Sequence, residues 1–322
     1  MSDPEFPDIQ IGIQTLQMTI LTGENKGKAF TAKNFVGRVD NKPAVVGTVM
    51  IVSSYDGFAS GMIVNYDRSP MLYALGALFF VLVVLFGRKK GLASMMSLGF
   101  TLVCVIFLFI PLLLRGVNPI LASVVVVVLS TAVTLLSLNG WCKKTIIAGI
   151  SCVICTALAG LIAYGAGAWY NISSLNTPET ENLLFIVQET ALSIYDVLFA
   201  GIIIAASGAI MDTTMSIASA LQEIKEYSPN VSRMALLKSG MNIGRDVMGT
   251  MTNTLILAFT GSSINTVLII FMYRLPYYQM INLELLVVEI LRGLSGSIAV
   301  VLSIPVTALL CAHMLNADNA KE

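Results

Sequence analysis

The 322-residue chain is 56% hydrophobic and only 12% charged, with a mean hydropathy of +0.82; an ordinary soluble domain carries roughly 25% charge, so a soluble globular fold is excluded and the apolar excess belongs in lipid. Lys+Arg and Asp+Glu balance at 19 each, so bulk charge argues for neither a nucleic-acid partner nor an acidic substrate. Cys104, Cys142, Cys152, Cys155 and Cys311 all fall inside or at the ends of apolar segments, which excludes a disulfide-stapled domain.

Residues Met1 to Gln10 are acidic and Pro-containing, unlike a cleavable signal, which is basic and then apolar. Either this tail crosses a membrane unaided or an earlier segment has been lost, and Ser2-Asp3-Pro4-Glu5-Phe6 also reads as a cloning scar. From Ile11 to Arg68, alternating runs such as Thr15–Ile20 and Ala44–Val52 are separated by Gly23-Glu24-Asn25-Lys26-Gly27 and by Val39-Asp40-Asn41-Lys42-Pro43. Alternation bounded by turn residues predicts a small all-β domain over 1–69, a barrel or a sandwich. Gly23 to Ala29 imitates a phosphate loop but has three intervening residues in place of four and no following Ser or Thr. It is read as a hairpin turn, and no nucleotide site is expected.

Continuous apolar runs begin at Met71, and each reaches the ~20 residues that a helix needs to cross the hydrocarbon core. The expected fold over 70–322 is therefore mainly α, a polytopic helical membrane bundle of about seven spans, near 71–87, 92–114, 118–138, 145–169, 191–211, 247–273 and 293–314. Arg88-Lys89-Lys90, Lys143-Lys144 and the segment with Lys225, Arg233, Lys238 and Arg245 lie on one side of this bundle, whereas the other side offers little beyond Arg115 and Arg274. The positive-inside rule makes the rich side cytoplasmic and the β-domain extracytoplasmic. Exporting such a domain usually needs a preceding anchor, which points to one further N-terminal span in the native chain.

Within this frame, Cys152 and Cys155 form a CxxC inside an apolar run, a packing pair and not a redox motif. Asn171-Ile172-Ser173 fits a glycosylation acceptor by pattern alone. Residues 213–246 alternate at helical spacing and are divided by Pro229, predicting two cytoplasmic amphipathic helices. Met280 to Leu291 carries Glu284, Glu289 and Arg292 and reads as an interfacial or re-entrant helix ahead of the last span.

The candidate site residues lie around the fifth and sixth spans. A helix places Asp212, Ser216, Ser219 and Glu223 on one face, and Asn242, Asp246, Thr250 and Asn253 on another, with Arg245 adjacent. A central Asp costs about 2.5–3.5 kcal/mol on insertion scales, so these faces should meet protein or water. If they converge, their oxygens suit an ion-binding or coupling site; the bland alternative is helix–helix packing and capping, with Arg245 paired to an aspartate. Asp196 is either a lone proton carrier or an outer-interface residue, and Glu289 with Arg292, spaced i and i+3, is a structural ion pair. Met211, Met215, Met248 and Met251, aided by Cys152 or Cys155, offer a soft-metal alternative for Cu(I), although Met is also an ordinary apolar filler. The lone His313 excludes a multi-histidine centre and reads as an interfacial cap; no nucleophile–base pair emerges, so neither an enzyme nor a cofactor is expected. Gly160, Gly165, Gly167, Gly293 and Gly296 permit close helix contacts, within a subunit or between two copies of a homo-oligomer.

Gly208-Ala209-Ile210-Met211-Asp212, Ser216 to Ala220, Ser239 to Asp246 and Gly249 to Ala258 together resemble the YibE/F-like family of bacterial multipass membrane proteins. The Asn-Ile-Gly-Arg-Asp block is the distinctive part, and the similarity extends over most of the chain. It implies the cytoplasmic (inner) membrane of a bacterium and a permease-like role. The leading expectation is a permease or channel-like transporter of an ion or small solute past Asp212 and Asp246. A membrane scaffold or sensor whose outer β-domain binds a partner is the alternative from a different class.

Overall fold

Alternation builds a four-stranded sheet in the computed structural model, which describes residues 5–6, 9–38, 41–54, 61–170, 172 and 193–316. The strands are β1 (Gly12–Thr19), β2 (Ala29–Val36), β3 (Met50–Ser53) and β4 (Gly61–Tyr66), in the order β1-β2-β4-β3. β1 and β2 form an antiparallel hairpin from Gly12↔Val36 to Thr19↔Ala29, β2 and β4 run parallel, and β3 returns antiparallel on β4. The sheet is thus mixed and single among the described residues, which corrects the expected barrel or sandwich. The Gly23–Gly27 stretch is the expected hairpin turn, closed by Gly27 N donating to Ile20 O at 2.8 Å.

One face of the sheet buries Phe30, Ala32 and Ile63 against Leu16, Met18 and Val52. The expected strand over 44–52 shrinks to β3, because Gly47 at φ +91° turns the chain after Pro43. That segment is held by side chains instead. Buried Asn34 donates to Gln14 Oε1 (3.0 Å) and Lys42 O (2.6 Å), Ala44 N donates to Gln14 Oε1 (2.8 Å), and the Tyr66 hydroxyl donates to Pro43 O (2.6 Å). Asp67 accepts from the Ser69 hydroxyl and backbone N–H, which holds its carboxyl below the ordinary carboxylate range and caps the first helix. Val39, Asp40, Asn171, Ser173 and most of Met1–Gln10 lie outside the described residues, and with them the 39–43 turn, the glycosylation pattern and the scar.

Among the described residues the helices are α1 (Ser69–Val103), a π-helical turn (Cys104–Phe109), α2 (Ile110–Leu114), α3 (Pro119–Asn139), α4 (Lys143–Trp169), α5 (Ile194–Tyr227), α6 (Arg233–Ser262), α7 (Ile264–Met272), α8 (Tyr277–Met280) and α9 (Glu284–Met314). The π turn falls just before Pro111, whose ring and missing N–H disturb the preceding helical bonds. By contacts the chain divides into Met1–Leu85 and Phe86–Glu322.

Among the described residues, five helices are long and apolar enough to cross a membrane, and α6 with α7, bent by 60°, makes a sixth if the pair is one span. The first run, Ser69–Leu114, has 46 residues, or about 69 Å of helix, more than twice a hydrocarbon core. Arg88 breaks it with φ 49° and ψ −130° into two membrane-length pieces, 69–87 and 89–114. Trp141 and Trp169, both more than four-fifths exposed, flank α4; 28 residues at ~1.5 Å each separate them by about 42 Å, the span of a bilayer with its headgroups, as an aromatic belt requires. The chain is a membrane protein.

In the second unit α5 packs against α3, α4, α6 and α9, and α9 packs against α4 and α6. Asn118 caps α3 by accepting from Ile120 N and Leu121 N, and Ser193 and Ser232 cap α5 and α6 in the same way. The stretch 213–246 holds the expected two helices divided at Pro229, as the continuous ends of α5 and α6. One expectation is corrected here. Residues 284–292 are the first turns of α9 and not a re-entrant piece; the broken element is α6–α7.

Candidate functional site: a polar line on α5 and an open face on α6

Three sides of α5 are covered, and the fourth is a narrow exposed line. Gly201, Ala205, Gly208, Asp212, Ser216 and Glu223 are all exposed, with Ser219 half-buried between the last two. Their spacings of three and four residues keep them on one face. Ser216 Oγ donates to the Asp212 backbone carbonyl at 2.8 Å. The Asp212 carboxylate itself makes no hydrogen bond or ion pair among the described residues.

The line ends in a recess of about 400 Å³ lined by Lys144, Ser219, Gln222, Glu223, Glu226 and Tyr227. Gln222 organises it, donating from Nε2 to Glu226 Oε1 at 2.8 Å and accepting at Oε1 from Lys144 N at 3.1 Å. Small residues, one unpartnered carboxylate, two hydroxyls and an acidic mouth therefore follow one another along a single helix.

On α6, Asn242, Arg245, Asp246, Thr250 and Asn253 are exposed as well. Arg245 Nη1 donates to Asn242 Oδ1 at 3.4 Å and Thr250 donates to Val247 O at 2.9 Å. Arg245 pairs with neither aspartate, and no hydrogen bond or ion pair joins the α5 and α6 polar faces among the described residues. The opposite side of α6 is packed through glycine. A Cβ at Gly244 would lie 2.0 Å from Ile304 Cγ2, and one at Gly240 would lie 2.8 Å from Ala308 Cβ and 2.9 Å from Leu221 Cδ1. The distinctive block is thus two-sided: Gly244, with Gly240 one turn before it, seats α6 on α9 and α5, and its polar residues face outward.

Asp196 is the third residue of α5, half-buried, with its N–H donating to the capping Ser193 hydroxyl at 3.2 Å. There the helix dipole stabilises an anion. Glu289 and Arg292 form the expected pair at 2.8 Å, and the structure adds Ser263, whose hydroxyl donates to the other Glu289 oxygen. Since Ser263 is the residue between α6 and α7, this triad fastens the 60° break to α9. Glu289→Ala leaves Ser263 and Arg292 without their acceptor, and hydrogen bonds to a charged group contribute about 1.5–3 kcal/mol, lessened here by the exposure of Arg292. A lower unfolding temperature is expected, with Glu289→Gln intermediate.

Cys152 lies buried 3.8 Å from both Thr131 Oγ1 and Ser207 O, while Met211, Met215, Met248 and Met251 are partly buried in apolar clusters. No group of three or more His, Cys, Asp or Glu side chains able to hold a metal occurs among the described residues. His313 is exposed in the last turn of α9.

Sequence reasoning missed the packing roles of Gly240 and Gly244, the Ser263 link and the recess formed by Lys144, Gln222 and Glu226. The Gly240-x-x-x-Gly244 spacing is a recognised helix-contact pattern and was the available signal for the first two. A family model described as YibE/F-like protein matches residues 75–317, beginning beyond the last strand. No curated protein and no solved structure matches the chain.

Proposed function

The chain belongs to the YibE/F-like family, and we propose that it is a permease or channel-like transporter that passes a cation along the polar line of α5. The observation that carries this reading is Asp212, exposed and, among the described residues, unpartnered on a helix long and apolar enough to cross a membrane. A carboxylate there is costly against lipid unless water reaches it, and Gly201, Ala205 and Gly208 leave room for water along the same face. Ser216, Ser219 and Glu223 would hand a hydrated cation on to the acidic recess. Asn242, Asp246, Thr250 and Asn253 form the second wall, and Arg245 limits the net negative charge.

We place the protein in the bacterial cytoplasmic membrane. The breaks at Arg88, at 140–142 and at 228–232 carry or adjoin the Lys- and Arg-rich segments, which puts them inside and the sheet outside. Purified protein in liposomes should dissipate an imposed Na⁺, K⁺ or H⁺ gradient faster than protein-free liposomes. Rates equal to the blank for all three cations would remove the reading.

The scaffold or sensor alternative has one observation in its favour. On the sheet face away from Phe30, the apolar side chains of Ile13, Phe35, Met62 and Val64 are exposed across β1, β2 and β4. If this face binds a partner protein, Phe35→Ser with Val64→Ser should abolish partner recovery while gradient dissipation stays unchanged.

A further inference from the structure

We infer that two copies of this chain associate through the outward face of α6 and that the second copy closes the polar route, a step that rests on the transport reading above. α6 is buried at only Leu236, Gly240, Gly244 and Leu255. Its exposed side carries Asn242, Arg245, Asp246, Thr250 and Asn253 beside the apolar Ile256 and Leu257, a mixed face that suits a protein surface better than lipid.

The pattern of charge selects a second copy. At ~100° per residue, Asn242, Gly249, Asn253 and Thr260 fall on one line of the helix, with Arg245 roughly 60° to one side and Asp246 roughly 40° to the other. A two-fold axis along the membrane normal brings two α6 helices together in parallel, residue against like residue at each depth. Under that rotation the arginine flank of one helix meets the aspartate flank of its mate. Arg245 and Asp246 are consecutive and therefore nearly level, so each copy supplies both halves of two reciprocal ion pairs. Asp246 has no hydrogen bond or ion pair within its own chain among the described residues, and Arg245 has only the 3.4 Å bond to Asn242. Gly249 sits on the central line, and a Cβ added there would meet nothing within 4 Å, so the line permits close approach. Asn253 and Thr250 of both copies then face a shared, lipid-free seam.

The test uses the full chain in native membranes with Cys142→Ser, which removes the one cysteine that is not buried. Gly249→Cys and Asn253→Cys should each give a disulfide-linked dimer on mild oxidation, while Leu161→Cys, exposed on α4, should not. Asp246→Arg in the Asn253→Cys chain should lower the cross-linked fraction several-fold by opposing arginines, and adding Arg245→Asp should restore it. Cross-linking at 249 and 253 no greater than at 161, or a charge-swapped chain that stays as weakly linked as Asp246→Arg, overturns the inference. The cysteine arms do not depend on the charge variants folding. Cross-linking without cation flux would defeat the transport reading alone, and flux without cross-linking would defeat the dimer alone.

Discussion

Gly244→Ala is expected to destabilise the bundle by about 1–3 kcal/mol, the usual cost of overpacking a tight contact, and Gly244→Leu to prevent recovery of folded protein. The added Cβ would lie 2.0 Å from Ile304 Cγ2 and 3.0 Å from Ile304 Cβ. Ile304 is β-branched and 3% exposed, so its methyl cannot swing away by a rotamer change without entering another packed side chain. Relief requires α6 to back away from α9, which opens the adjacent Gly240 contact with Ala308 and Leu221 as well. Gly99→Ala, in α1, is the matched control, because nothing lies within 4 Å of its Cβ position; it should be neutral or gain up to about 1 kcal/mol from helix propensity. Thermal unfolding in detergent, read together with size-exclusion profiles, separates the two substitutions.

Asp212→Asn should suppress cation flux while leaving the fold intact. The amide has the same shape, and among the described residues Asp212 makes no side-chain bond that the substitution would break. What is lost is a formal charge beside the cation's path. A charged hydrogen-bond or ion contact contributes about 1.5–3 kcal/mol, so flux should fall roughly tenfold to a hundredfold. Asp212→Glu should retain much of it. Ser216→Ala should matter less, since its hydroxyl is already engaged with the Asp212 carbonyl. An unchanged rate in well-folded Asp212→Asn protein would leave the carboxylate with no part in transport.

Apolar run length and loop charge made the membrane helices legible, because both are properties of composition along the chain. The polar line on α5 was legible too, since helical periodicity alone puts Asp212, Ser216 and Glu223 on one face. Periodicity could not say which way that face points. The answer depends on α3, α4, α6 and α9 occupying the other sides, a tertiary fact. The same limit explains α6, where Asn242, Arg245 and Asp246 stand out in the sequence while Gly240 and Gly244, which decide how the helix seats, do not. Glu289 is legible as half of an ion pair, but its tie to Ser263 needs the 60° break that no local pattern announces. In the sheet, hydrophobic alternation over 44–52 misled because Pro43 and Gly47 bend the segment away from the ladder, and Asn34 and Gln14 hold it by side-chain bonds that propensity does not register.

If the α5 line is hydrated from the recess to Gly201, water-soluble thiol reagents reach every position along it. Single cysteines at 201, 205, 208, 212, 216 and 219, placed in the Cys142→Ser chain in sealed membranes, should all react with a small charged maleimide or methanethiosulfonate. Cysteines at 202, 206 and 210, on the packed side, should not. Reaction confined to 216 and 219, with 201 to 212 modified only by a lipid-soluble reagent, would mean that the line faces lipid and carries no cation.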